Sequence, residues 1–163
     1  MTHSSGDERH DAAPTVSAHD PRPGRQTVRG GCLVLLHRWP TALAVALVVT
    51  TFVDGVPPLA FLAGLLVVMP VCYLIFGSLR GELHRPGALT LQTAGLLGFA
   101  ALALVALAVD ETLGLGLVAA GWLAHAVWDF AHYRSGRVVP RAWSEWCGVV
   151  DACGAVTILV LTL

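Results

Sequence analysis

The chain has 163 residues, 55% of them hydrophobic and 13% charged. Soluble domains carry about 25% charged residues, so this set excludes a water-soluble surface and leaves one membrane-embedded domain. The formal net charge of −1 excludes the basic face that a nucleic-acid partner requires.

Residues 1–30 are rich in His, Asp, Arg, Pro, Ser and Gly, without apolar periodicity. They bury too little to fold and read as a disordered cytoplasmic tail, with no signal-peptide pattern near Met1. Its histidines, His3, His10 and His19, are scattered and read as solvated. Five apolar segments follow, at about 33–53, 57–79, 88–109, 112–132 and 144–163. Each has the length of about 20 residues that crosses a ~30 Å hydrocarbon core. The predicted fold is all-α, a polytopic transmembrane helical bundle of about five spans within a single domain, 31–163. Pro57-Pro58 and Arg85-Pro86-Gly87 punctuate the joins, and Pro40 sits near the start of the first span, where a missing N–H costs least.

Arginine placement predicts orientation, because cytoplasmic loops keep the positive charge. Arg22, Arg25, Arg29 and Arg38 flank the start of span one; Arg80 and Arg85 follow span two; Arg134, Arg137 and Arg141 follow span four. The alternate loops hold only Asp54 and the Asp110-Glu111 pair, read as ordinary loop charges. A five-span protein in the cell membrane with the N-terminus in the cytoplasm and the C-terminus outside satisfies this pattern. Trp39, Trp143 and Trp146 then fall at the cytoplasmic boundary, where aromatic belts form. Cys32, Cys72, Cys147 and Cys153 lack paired spacing and read as small buried residues. Small residues recur every four positions (Ala60 and Gly64; Gly116, Ala120 and Ala124; Gly148 and Ala152), a spacing that allows close helix packing in lipid.

Spans two and three contain no ionisable residue in their apolar cores, whereas spans four and five cannot avoid them. Counting about 20 residues from Glu111 includes His125 and Asp129, and a span ending at the C-terminus must include Asp151. His125, Asp129 and His132 share one helical face at i, i+4 and i+7, and Cys147 and Asp151 share another. At 1.5 Å per residue, His125 and Asp151 lie about 20 and 18 Å from the outer end, and Asp129 and Cys147 about 25 and 24 Å. Glu145, His37, Glu82 and His84 reach the cytoplasmic edge with His132.

Ionisable groups at this depth face a bundle interior or a cavity and mark functional sites. Three readings compete. In the first, Asp129, Asp151, His125 and His132 perform acid–base catalysis on a lipophilic small-molecule substrate drawn from the membrane lipids. Burial disfavours the charged form of a carboxyl group, so one carboxyl can donate a proton while a neighbouring His accepts one. Trp122 and Trp128 would face the substrate and stabilise a developing cation, as in an isomerase or a terpenoid (isoprenoid) cyclase. In the second, His125, Asp129 and His132 hold iron or zinc, with Asp151, Cys147 or Glu145 completing the shell. In the third, a His–Asp pair joins spans four and five structurally. A transport role needs a polar path that spans two and three do not supply, unless the protein oligomerises.

The run Gly121-Trp122-Leu123-Ala124-His125-Ala126-Val127-Trp128-Asp129-Phe130-Ala131-His132, followed by Val139-Pro140 and by Glu145 to Asp151, resembles an uncharacterised family of small bacterial multi-pass membrane proteins. The resemblance covers about 31 residues. It implies that His125, Trp128, Asp129, His132 and Asp151 belong to one motif, and it carries no activity. Tyr133 stands where the family pattern has a second consecutive His, one possible ligand fewer.

Overall fold

The computed structural model describes residues 38–162. The tail, its three histidines, Cys32, His37, Arg22, Arg25, Arg29 and the first residues of span one lie outside the described residues. Among the described residues there are five α-helices and no strand: α1 (Trp39–Phe52), α2 (Leu59–Leu79), α3 (Ala88–Ala108), α4 (Glu111–Ser135) and α5 (Arg141–Thr162), with a 3-10 turn at Glu82–His84. The last four are long and apolar enough to cross a membrane. α1 has 14 described residues, about 21 Å of helix.

The all-α transmembrane bundle expected from the sequence is therefore present, with differences at the helix ends. α4 runs three residues beyond the apolar segment and α5 starts three residues before it. Backbone hydrogen bonding does not stop where hydrophobicity does. Gly136, at φ +64°, stops α4 by donating its N–H to His132 O at 2.8 Å, the left-handed cap that glycine provides. Asp110 is more than a loop charge, since its side chain accepts from Leu113 N at 3.0 Å and caps α4.

α4 is the centre of the bundle, packing on α2, α3 and, most extensively, α5, while α1 leans on α5. Its buried face runs through Gly114, Val118, Gly121, His125, Asp129 and His132, spacings of three and four that keep one stripe turned inward. The facing stripe of α5 is Ser144, Cys147, Asp151, Gly154 and Ile158. Of the small-residue pairs read from the sequence, Gly148 and Ala152 lie on the partly buried side of α5, with Gly148 against Asp129, and the others do not pack. Ala60, Gly64, Ala120 and Ala124 are exposed, and a Cβ on Gly64 or Gly116 would meet nothing within 4 Å. The tightest glycine contacts are at other positions. A Cβ on Gly154 would overlap the Trp122 indole, and one on Gly121 would crowd Leu66 and Leu102.

Outside the inward stripes the helices present Leu, Val and Phe, including Leu97, Leu104, Val127 and Val160 at 64–70% exposure. That is the surface a bilayer covers. The interior divides in two along the bundle axis. One half is apolar, built from Phe52, Leu62, Leu66, Val118, Trp122 and Ile158. The other half, beside the loops that carry Arg80, Arg85, Arg134, Arg137 and Arg141, holds every polar side chain buried among the described residues: Gln92, His125, Asp129, His132, Ser144 and Asp151.

Candidate functional site: a buried His–Asp–Asp cluster

Helical rise orders the polar half into layers. Counting 1.5 Å per residue from the arginine end, Asp151 and His125 lie about 15 Å deep, Asp129, Tyr73 and Cys147 about 9 Å, and His132 and Gln92 about 5–6 Å. Side-chain contacts join residues of the same or adjacent layers. His125 Nδ1 stands 2.7 Å from Asp151 Oδ2 and 3.3 Å from Asp129 Oδ2. A carboxylate only accepts, so the Nδ1–H of His125 donates to Asp151. The i, i+4 spacing brings Asp129 to the same nitrogen from within α4. All three side chains are fully buried.

Tyr73 completes the cluster from α2. Its phenol donates to Asp129 Oδ1, and its ring meets His125 and His132 edge-on at 5.7 and 4.8 Å. Tyr73 and Gln92 add polar side chains from spans two and three, whose apolar cores were read as free of ionisable residues. That reading counted groups ionised near neutral pH and passed over a phenol and an amide. The depth count used for His125 and Asp151 puts Tyr73 level with Asp129, and this was the signal available for finding it. Cys147 is buried on the same α5 face as Asp151, one turn nearer the arginine end.

His132 does not join the cluster, contrary to the expected metal trio. Its Nδ1–H donates to Trp128 O at 2.9 Å, and its Nε2 accepts from the Gln92 amide at 2.8 Å. Both ring nitrogens are engaged in hydrogen bonds outside the His125–Asp129–Asp151 trio. The third position beside His125 and Asp129 belongs to Asp151, and ligand atoms of these three lie within 4.8 Å of one another. Glu145 stands apart from this trio, accepting from Thr41 Oγ1 at 2.6 Å on the side facing α1. Glu82 pairs with Arg85 at 2.9 Å, and His84 Nδ1 lies 3.3 Å from Gly81 O; both stay in the turn.

The two deep tryptophans pack inside the bundle, and neither lines the two recesses described below. Trp122 is 1% exposed, sits on Gly154 and donates its indole N–H to Leu62 O at 3.3 Å. Trp128 lies against Gly95, Phe99 and His132 on the α3 side.

Three buried polar atoms of the cluster have no hydrogen-bond partner: His125 Nε2, Asp129 Oδ2 and Asp151 Oδ1. Two recesses flank it. Toward lipid, a groove of about 600 Å³ between α1, α4 and α5 is lined by Leu123, Val127, Phe130, Val149 and Ala152, with Arg38, Thr41 and Glu145 also on its wall. At the arginine end, a recess of about 490 Å³ has a mixed wall that includes Arg85, Leu91, Gln92, His132, Arg137 and Val138.

The α4–α5 connection closes over this half. Val138 has φ +66°, and Val139 N donates to Arg137 O at 2.7 Å, a three-residue turn rare for a β-branched residue. The Val138 side chain is buried with Tyr73 and Val139 and fits against Gly77, where a Cβ would lie 3.0 Å from it. No family model matches the chain, and no curated protein or solved structure matches it either.

Proposed function

We propose that the protein is an intramembrane acid–base enzyme that isomerises or cyclises an unsaturated lipophilic substrate of isoprenoid type. One observation carries this reading: carboxylates from antiparallel helices meet at one imidazole nitrogen, and all three side chains are fully buried. Such a group holds a proton between alternative sites and can release it to a weak base in a dry environment. Asp129 Oδ2 delivers a proton to one carbon of a C=C bond, and a proton leaves a neighbouring carbon to the cluster. The substrate's formula is unchanged and no oxidant is consumed. Asp151 holds the His125 ring through Nδ1, and Tyr73 holds Asp129. The resemblance of the Gly121–Asp151 stretch to the small bacterial membrane family is part of the same proposal.

Lipid extracts of membranes carrying wild-type protein, Asp129→Asn or Asp151→Asn, compared by chromatography and mass spectrometry, test it. The wild type yields a pair of lipids of equal mass and different retention whose ratio shifts in both variants. Identical lipid profiles in all three would sink the assignment.

The proposed orientation puts the arginine end, and with it the cluster, in the cytoplasmic half of the bilayer, with five spans and the C-terminus outside. Its support is the arginine distribution. A C-terminal reporter active only in the cytoplasm should be silent; strong activity would reverse the topology.

A metal reading has one specific observation behind it, the approach of His125, Asp129 and Asp151 ligand atoms to within 4.8 Å. One nitrogen and two carboxylates suit iron or zinc. Elemental analysis of purified protein decides between the two: one metal per chain, lost in His125→Ala, favours the ion.

A further inference from the structure

We propose that the groove between α1, α4 and α5 is the binding site for a single-chain lipid with a small polar head, and that the lipid reaches Asp129 through a seam at Gly148 and Ala126. This rests on the acid–base reading and adds the route and the substrate class.

The wall of the groove is amphipathic. Leu123, Val127 and Phe130 on α4 and Val149 and Ala152 on α5 supply an apolar trough, while Arg38 and the hydrogen-bonded Thr41–Glu145 pair supply its polar end. On α5 these residues are ordered by depth, with Ser144 and Glu145 nearest the arginine end and Ala152 deepest. On α4 the trough runs from Tyr133 to Leu123, about 15 Å of helix, and its volume of about 600 Å³ is that of a small-ligand site. The match is to a molecule with one long apolar chain directed to the bilayer centre and a hydrogen-bonding head at the interface. Two chains side by side would exceed the trough, and a wholly apolar molecule would leave Arg38 and Glu145 facing hydrocarbon.

The seam links the groove to the chemistry. Gly148 and Ala126 line the groove, and a Cβ on Gly148 would stand 3.3 Å from Asp129 Cβ and 3.8 Å from Asp129 Oδ2. That oxygen is one of the unpaired atoms of the cluster. A glycine therefore occurs where the groove wall lies against Asp129. His132 and Gln92, hydrogen-bonded to each other, stand on the opposite side, so the seam is the short path for a lipophile.

The test uses full-length protein in bilayer nanodiscs and a photoactivatable, singly unsaturated long-chain alcohol with a diazirine on its chain. Cross-linked peptides should map to Ala126, Val127, Val149 and Ala152. Ala152→Phe, which fills the trough from the lipid side without touching Asp129, should cut the yield about tenfold, the loss that ~1.4 kcal/mol produces. Gly148→Leu should leave a folded protein that still cross-links yet no longer shifts the equal-mass lipid pair. If Gly148→Leu fails to fold, Ala152→Phe decides alone, because it must lower both readouts. Cross-links spread over the lipid face of α3 and unchanged in Ala152→Phe overturn the groove. Asp129→Asn keeps the two proposals apart. Groove labelling retained in that variant with no lipid pair in the wild type defeats only the acid–base reading. A lipid pair that depends on Asp129 with labelling elsewhere defeats only the groove.

Discussion

Tyr73 of α2 donates its phenol hydrogen to Asp129 of α4 across 56 residues of sequence, inside the polar half of the bundle. This bond secures the carboxyl group whose other oxygen is unpaired and closest to the lipid groove. Tyr73→Phe keeps the ring, its edge contacts with His125 and His132, and the shape of the core. It leaves Asp129 Oδ1 buried without a donor, which costs about 1–3 kcal/mol. Unfolding of the variant in mixed micelles should show that loss, together with a smaller shift in the equal-mass lipid pair. Wild-type stability and activity in Tyr73→Phe would mean that Asp129 finds another donor.

His125 serves two carboxylates at once, which makes the three residues energetically interdependent. His125→Ala strands two buried carboxylates, and breaking such a pair costs about 3–5 kcal/mol. Adding Asp129→Asn and Asp151→Asn should restore part of that loss, so the triple variant is more stable than His125→Ala. Additive losses across the series would show that the three do not interact.

Glycines separate the packed face of α4–α5 from its lipid face. Gly154→Ala forces a methyl into the Trp122 indole and should cost about 1–3 kcal/mol. Gly116→Ala faces open space and should change stability by no more than about 0.5 kcal/mol. Equal effects at the two sites would contradict the helix facing described above.

Val138 combines a left-handed backbone with a buried side chain. Ala at this position loses about 1.6 kcal/mol of buried methyl groups while keeping the strain. Gly loses more burial and more unfolded-state restraint, yet sheds about 1–2 kcal/mol of backbone strain. The two variants should match to within about 0.5 kcal/mol, whereas at an ordinary φ Gly would trail Ala by about 1 kcal/mol. An Ala variant clearly more stable than the Gly variant would argue against the positive φ.

The spans from α2 onward were legible because bilayer thickness and the Pro and Gly breakers leave little freedom in placing them. The same length argument made His125, Asp129 and Asp151 unavoidable interior residues, and the helical period put His125 and Asp129 on one face. What the pattern did not contain is which way each apolar helix turns. In lipid both faces are apolar, so Gly116 and Gly154 look alike in sequence, and Trp122 reads as readily as a cavity wall as a core residue. His132 shares the face of His125, yet its bond to Trp128 O turns its free nitrogen toward α3 and Gln92. That outcome depends on a neighbouring helix. Tyr73 was readable by depth, and only a count restricted to groups charged near neutrality hid it.

The most direct test of the central claim is solvent-deuterium labelling. Membranes containing the protein are incubated in D2O, and their lipids are extracted and examined by mass spectrometry for deuterium bound to carbon. An acid–base site that protonates carbon from an exchangeable Asp129–His125–Asp151 cluster puts one deuterium into a single lipid species with wild-type protein. Asp129→Asn abolishes that label, and Ala152→Phe reduces it. Carbon-bound deuterium that is absent from every lipid, or present to the same extent in Asp129→Asn, would contradict the account.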